Sequence, residues 1–119
     1  MESNGAAEAN RLLVDGPAGL SLPRTPVFCD TEILSVKGIK HGNELHLTVL
    51  FPGMEFSRQQ ELVERYFSDA DRYEAVPEER GLGYTVLQGW YVVYRDPLGA
   101  IISAICKRTD ELLSAIEEE

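Results

Sequence analysis

The chain predicts an α+β domain: a four- to five-stranded antiparallel sheet in the order β-β-α-β-β-α, with the helices packed on one face. Three observations carry this expectation. Residues 44–51 alternate apolar and polar side chains with a period of two. Residues 57–70 place apolar side chains at helical spacing. The most apolar stretch, residues 83–106, holds the only Trp and is broken at Arg95-Asp96-Pro97-Leu98-Gly99, a run with turn chemistry. A length of 119 residues fits one domain, large enough to bury a core without disulfide or metal staples.

Residues 1–26 read as a flexible arm ahead of a single α+β domain over 27–119. Gly5, Gly16, Pro17, Gly19, Pro23 and Pro26 interrupt any period, although Ala6 to Val14 is long enough for two helical turns. The first hairpin follows. One strand holds Ile33, Val36 and Ile39, and His41-Gly42-Asn43 forms the turn. In the return strand Leu45, Leu47, Val49 and Phe51 point one way, and His46 and Thr48 the other. A helix is expected from Ser57 to about Tyr73. Ser57 is its N-cap, Gln60 reaches back to close a capping box, and Leu62, Val63, Tyr66, Phe67 and Ala70 form its apolar side. Residues 77–81 read as a loop. Residues 90–94 and 100–106 then read as the two strands of a central hairpin, with a further strand near 83–87. A short helix from Thr109 or Asp110 closes the chain, its acidic end expected to fray against the helix dipole.

Composition limits the function classes. The net charge of −9 disfavours direct binding to nucleic acid or an anionic membrane and favours a basic protein partner. Acids outnumber bases over residues 55–80 and 107–119, whereas residues 31–51 are balanced. No apolar run approaches the ~20 residues of a membrane span, and Met1-Glu2-Ser3-Asn4-Gly5 lacks the pattern of a secretory signal. The expected location is the cytoplasm. Two cysteines, Cys29 and Cys106, make neither a disulfide framework nor a metal pair, and read as structural thiols.

The motifs that could carry chemistry mostly fail on spacing. Asp69-Ala70-Asp71 begins like a calcium loop, but Glu74 stands where the turn needs Gly and Arg80 where a bidentate Glu belongs. Gly81-Leu82-Gly83 lacks the third glycine and the helix of a phosphate-binding loop. His41 and His46 are five residues apart on a hairpin, not four apart on a helix as in a zincin. A nucleophile and base made of Cys29 and His46 would need the two to meet in space. Trp90, Tyr91 and Tyr94 lie on a strand as stacking residues do in single-strand binders, but Arg95 is the only cation nearby until Lys107. No catalytic constellation, cofactor or metal site is expected.

The central hairpin carries the functional expectation. Both of its faces are apolar, so a sheet covered on one side only would leave the other waiting for a partner. Trp90, Val92, Tyr94 and Ile102 are the expected partner-binding residues. Glu61, Glu64, Asp69, Asp71, Glu74, Glu78 and Glu79 form an acidic surface, which a mimic of nucleic acid would array on one side. The reading is a small acidic protein-binding module (adaptor, chaperone or inhibitor) acting through an apolar sheet face as a homodimer. Size, acidity and α+β order resemble the small acidic chaperones of bacterial type III secretion, in which a helix precedes the sheet. On that resemblance the leading helix would come from Ala6 to Val14. The competing class is a small enzyme or ligand binder with a pocket between sheet and helices, for which Tyr66, Tyr73, Tyr84, Tyr91 and Cys29 would supply polar groups.

Overall fold

A computed structural model describes residues 26–119. Five antiparallel strands form one sheet: β1 (Val27–Asp30), β2 (Ser35–His41), β3 (Glu44–Leu50), β4 (Arg72–Glu79) and β5 (Thr85–Arg95), in the spatial order β1-β2-β3-β5-β4. Helix α1 (Phe56–Tyr66) connects β3 to β4, and α2 (Ile101–Glu117) follows β5. The order is therefore β-β-β-α-β-β-α, one strand more ahead of the first helix than the sequence pattern suggests. The arm expected over residues 1–26 lies outside the described residues except for Pro26, whose carbonyl accepts the Gly38 amide at the sheet edge.

The first hairpin forms as its alternation dictates. Leu45, Leu47 and Val49 point into the core, and Gly42 takes the positive φ of 56° needed at the first central position of the two-residue turn. Opposite them on the same face lie Tyr94, Val92 and Trp90 of β5. Leu62 and Val63 of α1 and Ile105 and Leu112 of α2 close over this face, and all of these side chains are buried.

Two segments differ from the pattern reading. Residues 101–106 are not a strand; they are the first turns of α2. The β-branched run favours a strand locally. Read onward, Ile101, Ile105, Leu112 and Ile116 with Thr109 recur at helical spacing, and that longer stripe packs against the sheet. Asp96 starts the helix, its Oδ1 accepting the Ile101 amide at 2.9 Å. Thr109 is thus no cap: it sits mid-helix, fully buried, and its Oγ1 has no partner among the described residues. The acidic end expected to fray is tied to α1 by an Arg58–Glu119 ion pair.

The second difference is β4. Helix α1 ends at Tyr66, and residues 72–79, expected as helix end and loop, pair with β5. Tyr73 and Ala75 pack toward the core while Arg72 and Glu74 face outward, a period of two that short length had hidden. Pro77 is tolerated because β4 is an edge strand and the ladder shifts register between Val76 and Pro77. The N-cap of helix α1 also lies two residues earlier than expected, at Glu55, and Phe56 at the first helical position stacks on Trp90 with centroids 5.5 Å apart. Ser57 makes no cap bond, and Gln60 bonds forward to Glu64, so the capping box does not form.

Candidate functional site

The covered face of the sheet is the one that carries Trp90, Val92 and Tyr94. All three are buried by the protein's own helices, and the Trp90 indole N–H donates to Gln59 Oε1 at 2.9 Å. Gln59 in turn donates to the Met54 carbonyl at 2.7 Å, so the polar end of the indole is satisfied inside the fold. Ile102 lies on α2, half-buried against the core. Of the four residues expected to hold a partner, three therefore lie in the interior and Ile102 is half-buried at its margin.

Exposed apolar side chains lie elsewhere: Val27, Ile39, Phe56 and Leu98 are scattered over the described residues, and a contiguous group of four sits on the hairpin joining β4 to β5. Strand β3 pairs with β5 only as far as Leu50 opposite Gly89. Beyond that point Thr85, Val86 and Leu87 pair with Glu79, Glu78 and Pro77 alone, as a two-stranded ribbon without a third strand beside it. Leu82 at its tip is 95% exposed and Tyr84 is 67% exposed; Val86 and Leu87 are also exposed. Leu82 takes φ 67° and ψ 19°, the left-handed conformation that bulky side chains avoid. The outer edge of β4 has no neighbouring strand among the described residues. The signal for this ribbon was present in the sequence as the Gly81-Leu82-Gly83 tip, read there only as a loop.

The acidic residues do not gather into one array. Glu61 and Glu64 lie on α1, Asp69 and Asp71 between α1 and β4, and Glu74, Glu78 and Glu79 on β4. Most are locally bound. Arg58 pairs with Glu61 at 2.9 Å, Arg95 with Asp71 at 3.1 Å and Arg80 with Glu78 at 3.1 Å. Asp69 accepts from Arg108 at 2.9 Å and from the Tyr94 hydroxyl at 3.0 Å. Withdrawal from water pushes the Asp69 carboxyl up, but the bonds from Arg108 and Tyr94 outweigh this and hold it below the usual aspartate range. Burial, and then the bond to Asp69, push the Tyr94 phenol far above the ordinary tyrosine range.

Among the described residues, the open face of the sheet holds a tight cluster of titrating side chains that the fold brings together from separate strands. His46 on β3 bonds through Nδ1 to the Tyr91 hydroxyl of β5, and its Nε2 lies 2.9 Å from Glu44 Oε1. The tautomer that satisfies both carries its hydrogen on Nε2, donates it to Glu44 and accepts the phenolic hydrogen at Nδ1. The His41 ring meets His46 edge-on at 5.3 Å, and the Arg72 guanidinium lies 5.6 Å from the Tyr91 ring centroid. Glu44, Asp71, Arg72, Val93 and Arg95 line an adjoining depression of about 510 Å³.

Cys29 cannot join this cluster. It is buried on the core face of β1, its thiol bonded to the Leu34 carbonyl and pushed up by burial, with the sheet between it and His46. No group of histidine, cysteine and carboxylate side chains among the described residues is arranged to hold a metal ion. No helix of the described residues is long and apolar enough to cross a membrane. No protein-family model, characterised protein or solved structure matches the chain.

Proposed function

We propose that this chain is a small acidic protein-binding module, of adaptor or chaperone type, that acts as a homodimer through the β4–β5 ribbon and the open edge of β4. One observation carries the reading: Leu82 is held in a left-handed backbone conformation and almost wholly in water. An exposed leucine gains nothing from burial, and the conformation costs about 1–2 kcal/mol that Gly at the same place would not incur. Such a residue makes sense where its side chain is buried by something else. The ribbon supports the same reading. A two-stranded hairpin bearing exposed apolar side chains is marginal in water on its own, and an unpaired edge strand is a ready template for another chain. Two β4 edges related by a twofold axis present Arg72 of one copy toward the Glu78-Glu79 end of the other, so the pairing is favourable in charge. A basic protein partner remains suited to the acidic exterior.

The test is light scattering over a concentration series with wild type and Leu82→Gly. The substitution removes the apolar tip and the strain together, so the isolated fold should gain about 1 kcal/mol while association weakens. A wild type that stays monomeric at every concentration, or a variant that associates as strongly as wild type, would remove the ribbon from the interface.

A further inference from the structure

We propose that Tyr91 is an activated nucleophile, and that the open face of the sheet accepts an acyl group from an activated acyl donor with an anionic leaving group. The inference stands on a different cluster from the binding surface on the ribbon, although it shares Arg72 with the β4 edge. It rests on the line Glu44–His46–Tyr91, in which carboxylate, imidazole and hydroxyl are joined through the two ring nitrogens of one histidine. That is the arrangement by which a base takes a proton from a hydroxyl while a carboxylate orients the ring and stabilises the imidazolium. A surface histidine that merely filled space on a wet sheet face would not need a bonded partner at both nitrogens.

The neighbouring charges fit the step. Arg72, over the Tyr91 ring, has no carboxylate partner among the described residues and faces the phenol on which negative charge develops. The depression beside the cluster is lined by Arg72 and Arg95 together with Glu44 and Asp71; Asp71 holds Arg95, so Arg72 is the cation left to face the leaving group of an acyl phosphate. In the step the phenolic oxygen forms a bond to the acyl carbon as the bond from that carbon to the leaving oxygen breaks. The phenolic proton passes to His46 Nδ1, Glu44 holds the resulting imidazolium through Nε2, and the leaving group departs with its electron pair. The imidazolium then returns its proton to water. No oxidant or reductant is involved.

Acetyl phosphate and p-nitrophenyl acetate are the probes, with site-resolved mass spectrometry as the readout. Tyr84 serves as the internal reference, because it is two-thirds exposed and far from any histidine in sequence. Tyr91 should be acetylated on the order of a hundredfold faster than Tyr84 despite its lower exposure. His46→Gln should erase that excess with both probes, and Arg72→Gln should slow acetyl phosphate more than the uncharged ester. If His46→Gln fails to fold, Glu44→Gln must lower the Tyr91 rate while leaving Tyr84 unchanged. Acetylation of Tyr84 at a rate equal to or above that of Tyr91, or a Tyr91 rate indifferent to both substitutions, overturns the proposal.

Discussion

Asp96 and Lys40 should respond unequally to mutation, and the inequality is a direct test of how α2 is fastened to the sheet. Asp96 is only 3% exposed, yet it is charged and sits at the turn between β5 and α2. Its Oδ1 accepts the Ile101 amide at 2.9 Å and its Oδ2 lies 3.2 Å from Lys40 Nζ, which also donates to the Asp96 carbonyl at 2.9 Å. Asp96→Ala removes a bond at the helix start, worth about 1 kcal/mol, and a charge-assisted bond, worth about 1.5–3 kcal/mol. Lys40 is not stranded, because its ammonium keeps the backbone carbonyl and part of its side chain reaches water. The expected loss is therefore about 3 kcal/mol. Asp96→Asn keeps an acceptor for Ile101 and should cost about 1–2 kcal/mol. Lys40→Met is the harsher change, since it leaves a buried carboxylate without its cation, at about 3–5 kcal/mol. The double variant should recover much of that. Urea unfolding at constant slope measures all four. If Lys40→Met proves milder than Asp96→Asn, the carboxylate is not held as a buried charge and the reasoning fails.

Other expectations follow from single contacts. Gly89→Ala would place a Cβ 2.6 Å from the Val49 carbonyl oxygen and against Leu50, so β3 and β5 must part locally, at about 1–3 kcal/mol in a urea titration. Trp90→Phe keeps most of the packing but leaves Gln59 Oε1 without its buried donor, costing about 1–3 kcal/mol and leaving self-association unchanged. Because Asp69 is held below the usual aspartate range, its contribution is present above the unfolded aspartate's titration and is lost as pH falls through the folded value. Wild type should thus lose stability in acid that Arg108→Gln does not, read from urea midpoints against pH. Tyr94 has the opposite sign. Its raised phenol stays protonated while the unfolded tyrosine ionises, so stability falls as pH climbs above about 10, and Tyr94→Phe should flatten that limb.

Legibility in the sequence follows the range of the interactions concerned. The hairpin of β2 and β3 is local: its alternation, Gly42 and the paired faces all lie within one short stretch, and the pattern reading places it within two residues. The stretch at Ile101 is not local. Ile-Ile-Ser-Ala-Ile has the composition of a strand, and only the spacing of Thr109, Leu112 and Ile116 further on identifies the helix. Asp96 is the matching clue, since an Asp ahead of such a run can start a helix as readily as shape a turn. For the Glu44–His46–Tyr91 line the faces were legible but the register was not. Alternation puts Glu44 and His46 on one side of β3 and Tyr91 on one side of β5, but nothing in either strand says that the two align.

Register also explains why an apolar ribbon of sequence did not become an exposed sheet face. Trp90, Val92 and Tyr94 fall opposite Val49, Leu47 and Leu45, so the richest apolar rows of two hairpins merge beneath both helices. Val93, on the other side, is buried among His46 and Arg72, the residues that flank it in the ladder. Apolar character on both sides of β5 is thus satisfied within the chain wherever a third strand lies alongside. Past Leu50 there is no such strand, and β5 still carries Leu87, Val86 and, beyond its start, Tyr84 and Leu82. The surplus of apolar surface that the sequence contains is real, but it is displaced toward the ribbon tip, and that is where binding and stability should separate. Substitutions at Trp90 should lower the unfolding midpoint and leave association alone; Leu82→Gly should weaken association while the fold itself gains about 1 kcal/mol. A variant at either position that lost stability and association together would mean that ribbon and core are one cooperative unit, and the division of labour argued from the register would not stand.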